Sequence, residues 1–355
     1  MRRIFVQILL SLFIAGCGGD GGGSDSQPVQ TGNRISVLGV DGVLAGADIA
    51  VYHLQDYLKN PSSAENLLAA SPTPTTHPET GLADNLELVL DAGLGPFMVV
   101  ITANPNTKDL TTGEEPVISE VKTIVTELST KRVYATPLTT AAIAIASHGE
   151  SVADDVLENL FGIEATAQNV AKAFFGFGMD ASMDIFSIPP ILDENTLSRA
   201  DQEAVAHYRG ALEALAAALS SLASSQDTVD VHFDTLIADA LDNDILDNPD
   251  YISAVQAIHL GALTSRFANT GITSIAQLLD AELSQLRDYS IDPSVDVVPL
   301  NVIDSDLDGV MNVNDAFDFN ASETVDSDGD GVGNNADDFP DNKDETVDTD
   351  NDGVG

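Results

Sequence analysis

The chain has 355 residues and is strongly acidic, with 57 Asp and Glu residues against 14 Lys and Arg residues and a formal net charge of -43 at pH 7. Nucleic acid is therefore not an expected partner, because phosphate binding needs clusters of Lys and Arg. The lack of Trp and an aromatic content of 5% argue against a sugar-stacking site. Cations and cationic surfaces suit this charge.

The N-terminus is organised like a signal peptide. A short basic start precedes an apolar stretch at 4–15, which is too short to span a bilayer core of about 30 Å. The stretch ends in Ile14-Ala15-Gly16-Cys17, which resembles a bacterial lipobox. The resemblance implies that Cys17, the only cysteine, becomes the lipidated first residue, and that Gly18 after it favours export to the outer membrane. We expect an outer-membrane lipoprotein that is exposed at the cell surface. An ordinary signal peptide with a chance cysteine is the alternative. We assign 1–16 to the signal peptide and 17–33 to the lipidated cysteine with a Gly/Ser-rich tether.

Residues 34–136 are predicted to form a small antiparallel β-sandwich, because short alternating apolar segments are separated by turn residues. The segments VDGVLAGADIAVYHL, TGLADNLELVL and GPFMVVITA resemble the carboxypeptidase regulatory-like, transthyretin-like sandwich. That resemblance implies an accessory module without catalytic residues. A short helix at 64–70 is expected within an insertion. The candidate strands lie at Ile35/Val37, Ile49/Val51, Leu86/Leu88/Leu90, 97–103, Val117/Ile118, Thr123/Val125 and Val133.

Residues 137–298 are predicted to form an α-helical domain. The clearest helix is 201–223, where apolar residues recur every three or four positions. Asp201 is the expected cap of that helix, and Thr139 or Thr140 that of the first helix. The other candidate helices are 138–146, 152–161, 165–175, 231–242, 251–267 and 275–289.

Residues 299–355 contain three evenly spaced copies of an acidic motif, which begin at Asp304, Asp326 and Asp348. If the first Asp of each copy is loop position 1, side-chain oxygens fall at positions 1, 3, 5, 9 and 12. A Gly falls at position 6 and a backbone carbonyl at position 7. This arrangement wraps one Ca²⁺ ion, which takes six to eight oxygen ligands. The expected ligands are Asp304, Asp306, Asp308, Val310, Asn312 and Asp315 in loop 1; Asp326, Asp328, Asp330, Val332, Asn334 and Asp337 in loop 2; and Asp348, Asp350 and Asp352 in an incomplete loop 3.

The spacers between the loops distinguish among calcium-binding families. EF-hands and dockerins need helices beside each loop, but 316–325 has no helical periodicity and Pro340 disfavours a helix in the second spacer. A disordered acidic tail is the other alternative. The text DSDLDGVMNVNDAFDFNASETVDSDGDGVGNNADDFPDNKDETVDTDNDGVG resembles the thrombospondin type 3 repeat, in the cysteine-free form of bacterial surface proteins. The resemblance implies calcium-dependent structure in a stiff spacer or adhesive stalk.

Catalytic motifs are not found in the middle of the chain. The six His residues are scattered without metal-ligand spacing, and Asp193-Glu194 is a pair expected by chance in so acidic a chain. We therefore expect a multidomain protein that is not an enzyme. Its expected role is that of a surface-anchored, calcium-binding structural or adhesion lipoprotein with a cell-surface or matrix partner. The alternative is a lipoprotein that binds or processes a ligand such as a polysaccharide, with the helical domain as the active part.

Overall fold

The computed structural model describes most of the chain after the tether. Residues 33–355 form one compact unit. Cys17, the signal peptide, the predicted helix at 64–70, Glu194, Asp350 and Asp352 lie outside the described residues or fall mainly there. The described residues are 34–61, 68, 74–87, 95–126, 132–193, 195–223, 226–243, 245–257, 267, 269–286, 295, 303–349 and 353.

The first part of the described chain is built from short strands. They are β1 (Arg34–Gly39), β2 (Leu44–Ala45), β3 (Asp48–His53), β4 (Leu82–Glu87), β5 (Phe97–Thr102), β6 (Lys108–Asp109), β7 (Glu120–Val125) and β8 (Arg132–Ala135). Three small sheets result, with strand orders β4-β1-β8, β2-β6 and β3-β5-β7. Burial alternates in β3 and at the start of β7, because successive side chains point to opposite faces of a strand, whereas β1 and β5 are buried on both faces.

The sheets depart from the predicted sandwich in two ways. Strand β8 pairs with β1 in parallel, with Val37 opposite Val133, whereas the prediction was antiparallel throughout. Alternation fixes which residues face the core, but it does not fix the direction of the neighbouring strand. Val117 and Ile118 form no strand, and the Ile118 N–H instead donates to the Asp41 carboxylate at 2.6 Å. Leu88 and Leu90 lie outside the described residues.

The rest of the described chain up to residue 286 is mostly helical. A short helix, α1 (Leu54–Lys59), follows β3 directly and was not predicted. Most of the predicted helices appear with similar bounds, but the helix predicted at 231–242 begins at Gln226, and the one predicted at 251–267 ends at Gln256 with Ala257 as its C-cap. Residues 258–266 and 287–289 lie outside the described residues. The bounds are α2 (Pro137–Ala146), α3 (Ala153–Phe161), α4 (Thr166–Phe175), α5 (Arg199–Leu222), α6 (Gln226–Asn243), α7 (Pro249–Gln256) and α8 (Ile275–Leu286).

Capping boxes begin α2 and α5. The Thr136 hydroxyl accepts the Thr139 N–H at 3.0 Å, and the Thr139 hydroxyl accepts the Thr136 N–H at 2.8 Å. Ser198 and Asp201 form the same reciprocal pair at the start of α5. The caps are therefore Thr136 and Ser198, whereas the sequence predicted Thr139 or Thr140 and Asp201. Thr139 and Asp201 hold the third helical position, where a side chain reaches back to the cap N–H.

One hydrophobic cluster joins the strands to the helices. Strand residues such as Val37 and Val99 and helix residues such as Leu138, Phe175 and Leu215 all belong to it and are fully buried. The chain is thus a mixed α/β structure with small sheets, and the predicted division into separate domains at 136/137 stays a prediction. Among the described helices, none is long and apolar enough to cross a membrane.

Candidate metal centre

The acidic repeats form two successive loops with the same hydrogen-bond pattern. Within 303–349, the described residues contain one short 3-10 turn, Asn312–Asn314, and no α-helix. This agrees with the prediction that the spacers are not helical. Backbone hydrogen bonds in the first loop recur at the equivalent positions of the second. The Asn312 N–H donates to the Ile303 carbonyl at 2.8 Å, and the Asn334 N–H donates to the Val325 carbonyl at 2.9 Å. In the spacers, the Ala316 N–H donates to the Thr324 carbonyl at 3.1 Å, and the Asp338 N–H donates to the Thr346 carbonyl at 3.2 Å.

In both complete loops, the Asp at position 1 accepts a hydrogen bond from the Gly at position 6. One oxygen of Asp304 accepts the Gly309 N–H at 3.0 Å, and one oxygen of Asp326 accepts the Gly331 N–H at 2.9 Å. Both glycines have φ near +90°, in the left-handed region that a side chain disfavours. The glycine at position 6 therefore allows the chain to turn back so that the acidic side chains converge.

The carboxylates at positions 1, 3 and 5 converge in both loops. In loop 1, one oxygen from each of Asp304, Asp306 and Asp308 lies within 4.8 Å of the others. The oxygens of Asp326, Asp328 and Asp330 do the same in loop 2. Two oxygens that each lie about 2.4 Å from one ion are at most about 4.8 Å apart, so this spacing fits Ca²⁺ coordination.

Several of these carboxylates are only half satisfied within the described chain. One oxygen of each position 3 and position 5 Asp accepts a backbone N–H two residues further on, such as Val310 N–H to Asp308 at 2.7 Å. The other oxygen is buried without a hydrogen-bond partner in Asp306, Asp308, Asp328 and Asp330. Because buried polar atoms are nearly always paired, a regular set of unpaired carboxylate oxygens is a donor set that suits a cation.

The pKa shifts in the loops have physical causes consistent with this geometry. Burial raises the pKa of Asp304 and of Asp306, and the neighbouring carboxylates add to it. Burial together with Asp330, Asp337 and Asp326 also raises the pKa of Asp328. Each of these carboxylates therefore makes the charged form of its neighbours less favourable.

The position 12 carboxylates lie beside the clusters but outside the groups of three. Asp315 adds to the rise in the pKa of Asp306, and Asp337 does so for Asp328. One oxygen of Asp337 is buried without a partner, like those at positions 3 and 5. The other oxygen accepts the Phe339 N–H at 2.8 Å. The position 12 carboxylates are therefore placed to supply a further oxygen beside the group at positions 1, 3 and 5.

Asn at position 9 makes contacts that the sequence did not predict. The Asn312 amide accepts the Ser305 N–H and donates to the Ser305 hydroxyl, both at 2.9 Å. Asn334 and Ser327 repeat this pair at 2.9 and 2.7 Å. The signal was present as a Ser after the first Asp of loops 1 and 2. These bonds hold the two sides of each loop together, and ion binding by the two Asn residues stays a prediction.

The remaining predicted ligands have less structural support. Val310 and Val332 follow the glycines and are partly buried, each donating its N–H to the Asp two residues earlier. In loop 3, Asp348 accepts the Gly353 N–H at 2.8 Å, as position 1 does in the other loops. Asp350 and Asp352 lie outside the described residues, so the third site stays a prediction.

Glu323 connects the two complete loops and was missed by sequence reasoning. It is buried, and one oxygen accepts the Asn335 N–H of loop 2 at 3.0 Å. A Cβ added at Gly333 would lie 2.1 Å from the same Glu323 oxygen. The spacer of repeat 1 is therefore packed directly against loop 2.

The rest of the described chain contains no comparable group. Asp193, one of the two adjacent carboxylates considered above, accepts the Tyr134 hydroxyl at 2.7 Å and the Asn195 N–H at 2.7 Å. A cleft of about 550 Å³ lies between β7, β8 and α3, with mainly apolar walls. Its carboxylate, Asp184, accepts the Ser187 hydroxyl and the Phe186 N–H.

No protein-family model, no curated protein and no solved structure matches this chain. The resemblance to thrombospondin type 3 repeats therefore depends on the residues of the loops alone. The donor set of the two complete loops fits calcium, because it consists of carboxylates with buried, unpaired oxygens and lies at the distances that one ion requires.

Proposed function

We propose that this chain is a calcium-binding structural or adhesion protein of the bacterial surface, held to the outer membrane by a lipid on Cys17. The observation that carries the proposal is the pair of Asp triplets, at equivalent positions of two successive repeats, with the same buried, unpaired oxygens in each. Asp304, Asp306, Asp308 and Asp315 would hold the ion in loop 1, and the equivalent residues would hold it in loop 2.

Calcium would supply charge neutralisation in this arrangement. The segment from 304 to 355 carries 17 acidic residues and one lysine, so its chain repels itself without cations. The metal bonds would replace the hydrophobic core that a segment with few apolar residues does not form. A stiff, extended calcium-bound segment suits a spacer or adhesive stalk above the tether.

Calorimetric calcium titration of residues 18–355 tests the proposal. We expect two ions to bind through the complete loops, at about 10⁻⁴ to 10⁻³ M as in extracellular modules, and Mg²⁺ to substitute poorly. Asp306→Ala and Asp328→Ala should each remove one ion, because each change removes a ligand oxygen, and Asp344→Ala, an exposed change between loops 2 and 3, should remove none. Scattering should show a stiffer chain with calcium. Absence of saturable binding at millimolar calcium would reject the function.

Anchoring is tested separately in cells. In a bacterial host fed labelled fatty acid, the full chain should carry the label and fractionate with outer membranes. Cys17→Ser should carry no label. A wild-type chain without label would show that residues 1–17 act as an ordinary signal peptide. The alternative role, ligand binding by the helical part, stays a prediction that no contact within the described residues favours.

A further inference from the structure

Loop 1 and loop 2 have the same sequence pattern but different surroundings. The residue before the first Asp is Ile303 in loop 1 and Val325 in loop 2. Ile303 is 2% exposed and belongs to the main hydrophobic cluster, whereas Val325 is 49% exposed. Ser305 is buried in loop 1, and its counterpart Ser327 is exposed. Loop 1 is thus built into the helical body, and loop 2 is not.

Two backbone hydrogen bonds fasten loop 1 to that body. The Asp304 N–H donates to the Ala173 carbonyl of α4 at 3.2 Å. The Leu246 N–H, just after α6, donates to the Ser305 carbonyl at 2.9 Å. Ala173 lies in the last turn of α4, where carbonyls have no partner inside the helix. The edge of loop 1 therefore completes the C-terminal end of α4 and joins it to the segment after α6.

The electrostatics of this junction call for a cation. The C-terminal end of a helix carries partial negative charge and is stabilised by cations and not by anions. Here that end meets a group of three carboxylates. Lys172, the cation in the last turn of α4, donates to the Ala181 and Met183 carbonyls instead. Asp306 is only 7% exposed and keeps an oxygen without a partner in the described chain.

We propose that the ion in loop 1 is a structural part of the helical body, whereas the ion in loop 2 stabilises only the repeats. The inference rests on the proposed calcium binding and adds that the two sites differ in role. Calcium at loop 1 holds the end of α4 to the segment after α6. Its loss loosens the body itself, so calcium sets the stability of the whole folded unit through one site.

The helical far-ultraviolet signal separates the two roles. All the described α-helices lie before residue 287, and 303–349 contains none, so circular dichroism at 222 nm reports the body and not the repeats. We would follow thermal unfolding of residues 18–355 with and without CaCl₂, in the wild type, Asp306→Ala and Asp328→Ala. These two changes are matched, since each removes the position 3 carboxylate of one loop.

In the wild type, calcium at about 100 times the dissociation constant should raise the midpoint of helix unfolding by about 5–10 °C. Asp328→Ala should keep that rise, and Asp306→Ala should lose it. Asp315→Ala and Asp337→Ala form a second matched pair, should Asp306→Ala fold poorly without calcium. The inference is overturned if both members of a pair keep the rise or lose it equally.

Calorimetry on the same samples distinguishes a failure of the structural role of loop 1 from a failure of calcium binding itself. Two bound ions with an unchanged midpoint in the wild type would overturn this inference and leave the calcium-binding function standing. No bound ion would overturn both. Two bound ions with a rise that only the loop 1 variants lose would support both.

Discussion

Replacing Arg209 with Met tests a fully buried ion-pair network in the described helices. Arg209 lies in α5 and is fully buried. Its Nη2 donates to Glu282 of α8 at 2.8 Å, its Nε donates to the same carboxylate at 3.2 Å, and its Nη1 is bonded to Glu213. Glu282 also accepts the Thr111 hydroxyl at 3.3 Å. One guanidinium thus joins two helices and, through Glu282, the loop after β6.

The expected cost follows from what the substitution leaves behind. Met matches Arg in helix propensity, so α5 itself should form as before. Glu213 and Glu282 would remain buried without their cation, which typically costs about 3–5 kcal/mol. A loss of that size is a large part of a typical unfolding free energy of about 5–15 kcal/mol. It should lower the unfolding midpoint by about 6–20 °C.

The same helix supplies a matched control. Arg199 bonds Glu203 at 2.8 Å with the same four-residue spacing as Arg209 and Glu213, but these side chains are 59% and 42% exposed. Arg199→Met should cost less than about 1 kcal/mol, because water screens an exposed pair. Helix, spacing and substitution are the same in the two variants, which differ in burial and in the second carboxylate, Glu282, that Arg209 binds.

The deficit of Arg209→Met should depend on pH. Burial raises the pKa of Glu282, and Arg209 partly opposes that rise. Without Arg209 the pKa should rise further, and the folded state then holds a proton more tightly than the unfolded state. A group with a raised pKa contributes stability at low pH and loses it as the pH rises through the folded-state value. The deficit should therefore be largest near pH 7 and smaller toward pH 5.

Urea unfolding followed at 222 nm measures these differences at pH 7 and pH 5. All three proteins should be measured in saturating calcium, so that the loops contribute equally. The reasoning is refuted if Arg209→Met lies within about 1 kcal/mol of Arg199→Met at pH 7. It is also refuted if the deficit grows as the pH falls.

Two further predictions concern the repeats. In urea unfolding, Ile303→Ala should lower the unfolding free energy of the helical body by about 2–5 kcal/mol, because it leaves a cavity at a buried position. Val325→Ala, at the equivalent but exposed position of the next repeat, should change that free energy by less than about 0.5 kcal/mol. In calorimetry, Glu323→Ala should weaken calcium binding at loop 2 about tenfold, since the Asn335 N–H loses its charged acceptor. Glu345→Ala, the equivalent change in the next repeat, should leave calcium binding by both complete loops unchanged. Equal effects of the two changes would contradict the proposed support of loop 2 by Glu323.

Local patterns predicted most of the helices and the form of the loops. The spacing of three and four in α5 depends on helix geometry alone, so it is visible in the chain. The caps of α2 and α5 were predicted about one turn late because Thr136 and Ser198 lie before the apolar pattern begins. Helix α1 was missed because so short a helix carries too little periodicity, and the parallel pairing of β8 with β1 has no local signal.

The ion-pair network around Arg209 could not be predicted from sequence patterns. Glu213 lies one helical turn away on α5, but Glu282 lies on a helix much later in the chain, and a single Arg on a helix is ordinarily solvated. Only the packing of α8 against α5 brings Glu282 within hydrogen-bond distance. The contact of Glu323 with loop 2 is missed for a related reason, because an acidic residue in an acidic spacer carries no distinguishing mark.

The sequence by itself determined the internal form of the two acidic loops, because the spacing of Asp and Gly within each repeat dictates which oxygens converge. The same spacing yields the same hydrogen bonds in the next repeat. The tertiary structure alone decided that Ile303 is buried and Val325 exposed, although both hold the same repeat position. Burial depends on which surface lies opposite, and for loop 1 that surface comes from α4 and Leu246, distant in the chain.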